Sequence, residues 1–274
     1  MPYLLIAPAI ILCLVFRALP VLIVGALSFW ETDFMDWQFV GFGNYVKIFT
    51  TELWQPIPNT LWYVVLIVPA TIALALSVAL VAQHAKQTRK HILRMMFYIP
   101  SLVSGMVVSM LWRWVFHYDG VVNWALLQLG FERIGFFEDR LTSILPISGI
   151  QTISSVGFYI IIFMAALQAI PDEHYDAAHI EGATRGQIRR YILVPQIVGT
   201  VGLTVMMVTA ASLQMFGWVY WLAPYPYAAT MLYTVFHEGF LYGRFGVASA
   251  YSVILVAITV TAIFLQRKVK RWGK

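Results

Sequence analysis

PDEHYDAAHIEGATRGQIRRYILVP, residues 171–195, is a polar island between two long apolar runs, in a chain of 274 residues that is 60% hydrophobic and 11% charged. It carries seven of the 31 charged residues, far more than a bare connector between two apolar helices needs. Pro171 stops the run before it, and Asp172 and Glu173 place negative charge on the first turn of a new helix, where the helix dipole favours it. Tyr175, Ala178 and His179 then share one face at i, i+3 and i+4 spacing. Ala177 and Ala178 keep that helix thin, so another surface can approach closely. Gly182 ends it, because glycine takes the left-handed conformation that closes a helix. Thr184 and Gln187 have the spacing of a capping box and open a second short helix, with Ile188, Tyr191 and Ile192 expected on one face. Pro195 marks entry into the next apolar run. The expected product is a compact helix–turn–helix that presents a docking surface.

The surrounding chain determines where that surface lies. Six apolar runs, at 4–29, 58–82, 95–115, 144–169, 197–222 and 247–265, are each long enough to cross a bilayer core as a helix. The mean hydropathy of +0.76 rules out an ordinary soluble domain, and no ten-residue alternation indicates an outer-membrane barrel. The first run lacks a basic flank and a small-residue cleavage site, so it reads as a retained span rather than a cleaved signal. The fold class is therefore all-α: a polytopic membrane protein of six transmembrane helices forming one domain over 1–274. Cys13 is the only cysteine, which excludes an intrachain disulfide and a cysteine metal site.

Basic charge orients the spans. Twelve Lys and Arg residues cluster at 86–94, 185–190 and 267–274, all on one side of a six-span topology. Lys47, Arg133, Arg140 and Arg244 lie on the other side, and Arg17 and Arg113 fall within spans. The positive-inside rule puts both termini and residues 171–195 in the cytoplasm. The net charge of +5 thus reports topology, not nucleic-acid binding. Residues 30–57, 116–141 and 223–246 read as extracytoplasmic connectors, large enough to offer a partner a contact surface. Most tryptophans sit near span ends, as interfacial anchors. Arg17 is deep enough to call for a partner or water.

At this point the residues carry a resemblance. Asp176-Ala177-Ala178, three residues, Gly182, nine residues, then Ile192-x-Val194-Pro195 resembles the EAA loop of ATP-binding-cassette (ABC) importer permeases, E-A-A-x3-G-x9-I-x-L-P, with Asp for Glu and Val for Leu. Other segments resemble the carbohydrate-uptake branch of these type I, maltose/oligosaccharide permease-like subunits: Phe39-Val-Gly-Phe-Gly-Asn44-Tyr45, Asn59-Thr60-Leu61, Leu111-Trp-Arg-Trp-Val-Phe116, Ala166-Leu-Gln-Ala-Ile-Pro171 and Ala229-Thr230. The branch's G-G-G-P is replaced by Ala223-Pro-Tyr-Pro-Tyr227.

The resemblance implies a type I ABC importer permease in the bacterial cytoplasmic (inner) membrane, moving an oligosaccharide or other carbohydrate by alternating access. Its implied partners are a second homologous permease, two cytoplasmic ATPase subunits and an extracytoplasmic solute-binding protein. ATP and Mg would reside on the ATPases: the chain has no Walker A motif, no catalytic residue and no cofactor or metal site of its own. The implied coupling loop comprises Tyr175, Asp176, Ala177, Ala178, Gly182, Ile192 and Pro195. A sugar pathway needs polar and aromatic side chains at mid-membrane; Thr152, Ser155 and Tyr159 in the fourth span and Ser212, Gln214 and Trp218 in the fifth are the candidates. Span Ser and Thr more often bond to their own helix carbonyls, which is the competing reading. Glycerol-phosphate or polyol import is the alternative within the class; an intramembrane enzyme, the alternative outside it, lacks any H-E-x-x-H, paired span aspartate or Ser-His constellation.

Overall fold

The computed structural model describes residues 2–33, 36–83, 92, 95–99 and 103–272. The basic residues at 86–94 lie outside them. Among the described residues, four helical stretches are long and apolar enough to cross a membrane: Ile6–Leu27, Glu52–Ala82, Arg140–Gln168 and Phe245–Arg267. A fifth is the pair Arg185–Gln196 and Val198–Leu213, bent by 66°. The expected third span is described only in pieces, chiefly Gly105–Val115. Six passes remain compatible with these helices.

The fifth span departs from its expected continuous form. Its helix runs Val198–Leu213, breaks through Gln214 and Phe216 (φ −128°, ψ −62°), and resumes at Gly217–Leu222. Prolines explain two further irregularities. A π turn at Leu14–Ala18 precedes Pro20, and another at Ile188–Leu193 precedes Pro195. A proline ring crowds the carbonyl four residues back, and the wider π turn relieves that crowding. Arg17 sits exposed on the first π turn, and no ion pair among the described residues involves it.

The chain divides into two compact units, Met1–Thr60 with Ala229–Thr261, and Leu61–Ala228 with Ala262–Lys274. In the first unit, the connector expected at 30–57 contains an antiparallel hairpin, β1 (Trp30–Asp33) with β2 (Asp36–Phe39), followed by a helix at Gly43–Thr50. Asn44 organises it: its Nδ2 donates to the carbonyls of Ser28 and Trp30, both at 2.9 Å. Gly41 turns with φ +55° ahead of it, and the Tyr45 hydroxyl donates to Ser28 Oγ at 2.8 Å. Asn44→Ala leaves two carbonyls without their donor. It is expected to cost about 2 kcal/mol, read as a lower Tm of the detergent-solubilised protein.

The segment 223–246 is also more than a connector. Ala229, Met231, Thr234 and Glu238 are fully or almost fully buried. Asn59 Nδ2 donates to the Ala229 carbonyl (3.1 Å), and the Met231 amide donates to Thr60 Oγ1 (2.9 Å). Asn59-Thr60 and Ala229-Thr230, two motif fragments about 170 residues apart, therefore meet in space. Buried Glu238 accepts from Arg244 at 3.3 Å, which compensates its charge.

In the second unit the central element is α1, Arg140–Gln168, capped by Asp139 and Thr142. It buries Ile147, Ile150, Ile160 and Phe163. The helices α2 (Val198–Leu213) and α3 (Gly217–Leu222) both pack on α1, and α3 also packs on Gly105–Val115. Gln266 Nε2 donates to Thr209 Oγ1 at 2.8 Å, tying the C-terminal helix to α2.

Candidate functional site: the loop at 171–195 and the polar span residues

The loop forms as its caps dictate. Its first helix, α4, is Glu173–Ile180. Gly182 takes φ +74°, and the Ala183 amide donates back to the Ala178 carbonyl at 3.0 Å. That is a Schellman closure, which a residue with a β-carbon adopts only at a cost. The capping box is reciprocal: the Thr184 amide donates to Gln187 Oε1 at 2.7 Å, and the Gln187 amide to Thr184 Oγ1 at 3.4 Å. Arg185–Gln187 follows, then the π turn, then Val194–Gln196 with Pro195 near its start.

The π turn alters the expected buried face. A 3.6-residue period groups Ile188, Tyr191 and Ile192, but the residues that become buried are Ile188, Leu193 and Ile197. Tyr191 is instead 68% exposed. The wider turn brings residues five apart onto one side. Tyr191 is thereby released to the surface, with the Arg190 guanidinium 5.7 Å from its ring centroid.

Between the two short helices lies an open groove of about 730 Å³. Ala177, Ala178, Gly182, Ile192 and Pro195, five of the seven expected loop residues, line it together with Tyr191. Asp176 is exposed outside the lining. Tyr175 has a different part: Gln83, just past the helix Pro56–Ala82, donates through Nε2 to its hydroxyl. Burial pushes the Tyr175 hydroxyl above its ordinary pKa, and Asp172 adds to this while the Gln83 bond opposes it. The hydroxyl is therefore neutral at physiological pH. Nothing local in the sequence marks Gln83, which lies 92 residues from its partner.

The six span candidates all belong to α1 and the broken fifth span. Thr152, Tyr159 and Ser212 are buried, Ser155 and Trp218 half-buried, and Gln214 exposed at the break. Ser155 Oγ donates to the Gln151 carbonyl at 2.8 Å, the ordinary fate of a helix serine. Ser212 Oγ is buried without a hydrogen-bond partner among the described residues. Trp218 and Trp221 close over Gly105, whose missing side chain leaves the Trp221 ring room at 3.1 Å from a β-carbon position.

Comparison with known proteins agrees with this geometry. The probable ABC transporter permease protein YesP of Bacillus subtilis is 30% identical over 98% of this chain and 90% of its own length. The lactose transport system permease LacF of Rhizobium radiobacter is 32% identical, covering 80% of this chain and 74% of LacF. The arabinooligosaccharides permease AraP of Bacillus subtilis is 26% identical over 97% of this chain and 87% of AraP. Among solved structures, a chain of a bacterial alginate ABC transporter, in complex with an alginate pentasaccharide-bound periplasmic protein, superposes with a TM-score of 0.87. It covers 99% of this chain and 94% of that one at 22% identity, a likeness of fold. The family described as binding-protein-dependent transport system inner membrane component matches residues 71–272, and the chain belongs to that family of membrane permeases.

Proposed function

We propose that the chain is a pore subunit of an ATP-driven importer that carries a neutral oligosaccharide or related carbohydrate into the cell. The observation that carries this reading is the groove at 171–195, which offers small residues, a glycine turn and an exposed tyrosine on a helix–turn–helix, as a partner's docking cleft requires. Two cytoplasmic ATPase subunits, holding ATP and Mg, dock there and supply the energy. A second, homologous permease completes the pore, and a solute-binding protein delivers substrate from outside. Thr152, Ser155, Tyr159, Ser212, Gln214 and Trp218 line the pathway, with the break at Gln214–Phe216 freeing backbone groups beside it. The sugars named for the relatives (lactose, arabinooligosaccharides and diacetylchitobiose) support the carbohydrate class.

The test is reconstitution of the complex with its ATPases and binding protein, and uptake of labelled lactose, arabinotriose and diacetylchitobiose. ATP-dependent uptake of a neutral saccharide is expected; uptake of glycerol phosphate and no saccharide overturns the substrate class.

The Gln83–Tyr175 bond joins the docking helix to the end of a span. Tyr175→Phe keeps the ring and removes the hydroxyl. Uptake per ATP hydrolysed is expected to fall by about threefold, the worth of one neutral hydrogen bond. An unchanged ratio would assign the bond to packing alone.

A further inference from the structure

On the side opposite the coupling loop, the second unit holds a cavity of about 420 Å³ that neither the groove nor the span pathway uses. It lies between the end of Gly105–Val115 and the end of α3, and Arg113, Phe116, His117, Phe136, Glu138 and Leu222 are among its walls. One wall is aromatic: the Phe116 ring centroid is 5.0 Å from that of Phe136 and 5.8 Å from that of Phe137.

The polar wall is built with local strain. Phe137 is held at φ +69°, the one non-glycine residue with positive φ among the described residues, and its ring is buried. A non-glycine residue stays there only when its surroundings enforce it. Two residues earlier, Gly135 gives up its side-chain space to the Glu138 carboxylate, which a β-carbon at 135 would strike.

Arg113 and Glu138 line the same cavity, yet neither belongs to an ion pair among the described residues. Nearby Asp119, by contrast, is taken up by Arg133. A guanidinium donor and a carboxylate acceptor thus stand apart, with an aromatic face beside them. That combination suits a sugar ring: its C–H face lies on the aromatics, its hydroxyls donate to the carboxylate, and its oxygens accept from the guanidinium. The opposite charges balance, which favours a neutral saccharide over a phosphate or sulfonate ester.

We propose that this cavity is an extracytoplasmic saccharide subsite, which takes one ring of a neutral oligosaccharide before it enters the spans. The proposal rests on the carbohydrate reading above. Arg113 orients ring oxygens, Glu138 accepts from hydroxyls, and Phe116 and Phe136 form the apolar platform.

The test uses the full complex with lactose, arabinotriose and diacetylchitobiose as probes. In a Cys13→Ser background, Tyr118→Cys, at a wall residue with no assigned sugar contact, supplies a single thiol in this chain. A transported sugar, added free, is expected to slow its labelling by a membrane-impermeant maleimide about tenfold, whereas a sugar that is not transported leaves the rate unchanged. Arg113→Gln and Glu138→Gln are each expected to lower uptake about tenfold while ATPase stimulation by loaded binding protein persists, since each loses a charge-assisted hydrogen bond. If the wild type takes up none of the three sugars, this subsite and the carbohydrate reading fall together. If a sugar is taken up but gives no protection of the thiol, the subsite alone falls. If the glutamine variants lose uptake and ATPase stimulation together without sugar protection, the cavity is a contact for the binding protein, and the subsite is overturned.

Discussion

Gly182→Val abolishes sugar uptake by the assembled importer, while Gly182→Asn retains most of it and Gly182→Ala falls between. The ordering comes from the backbone. Gly182 sits at φ +74°, and a β-carbon there meets nothing within 4 Å, so the cost of substitution is conformational and not steric crowding by neighbours. A left-handed conformation costs an alanine about 1–2 kcal/mol; asparagine visits it readily, and a β-branched residue least of all. With valine the turn opens, the Ala183–Ala178 hydrogen bond is lost, and the two short helices that form the groove splay apart. The spans do not depend on this turn, so the amount of protein in the membrane is expected to match the wild type. On the docking role proposed for the groove, basal ATP hydrolysis is expected to continue and uptake per ATP to drop by more than about tenfold. Wild-type uptake by Gly182→Val, at wild-type membrane levels, would remove the loop from energy coupling.

The helix–turn–helix at 171–195 was legible because its determinants are local. A glycine closure, a capping box at i, i+3 and a proline are all read within one turn of where they act, and each appears in the structure. Its buried face was not, because the π turn ahead of Pro195 replaces the 3.6-residue period on which a helical-face reading depends. The break at Gln214–Phe216 was hidden for a similar reason. Gln214 and Gly217 are the only local hints at it, and hydropathy does not register a change of helix direction. Long-range partners leave no local trace at all. Asn59 and Thr60 read as a motif entry to a span, but their work is to hold Ala229 and Met231 from the far end of the chain. Residues 30–57 and 223–246 read as extracytoplasmic connectors, with nothing local to mark what they bury. Asn44, Thr32 and Glu238 turn out to be buried and hydrogen-bonded, the condition under which a polar side chain can lie in a core.

Gly157→Ala, a change of one methyl group, is expected to destabilise the protein by about 3 kcal/mol, at the top of the range for overpacking a core. Gly157 is buried in the middle of α1. A β-carbon at this position collides with the Phe97 carbonyl oxygen and comes within 3.0 Å of the Tyr98 amide nitrogen. These are backbone atoms of a neighbouring helical segment, which cannot swing aside as the tip of a long side chain can. Relief requires that segment to move away from α1, reopening contacts against its centre and exposing apolar surface matched to this close approach. Gly149→Ala on the same helix is the control: its β-carbon has nothing within 4 Å, and alanine is the better helix former by up to about 1 kcal/mol. The measurement is thermal unfolding of the detergent-solubilised protein. A lower Tm is expected for Gly157→Ala, with an equal or higher one for Gly149→Ala. Gly157→Leu, which adds three more carbons against the same backbone, is expected to leave little folded protein in the membrane. A wild-type Tm for Gly157→Ala would show that the two helices are not held at backbone contact, and the packing described around α1 would have to be abandoned.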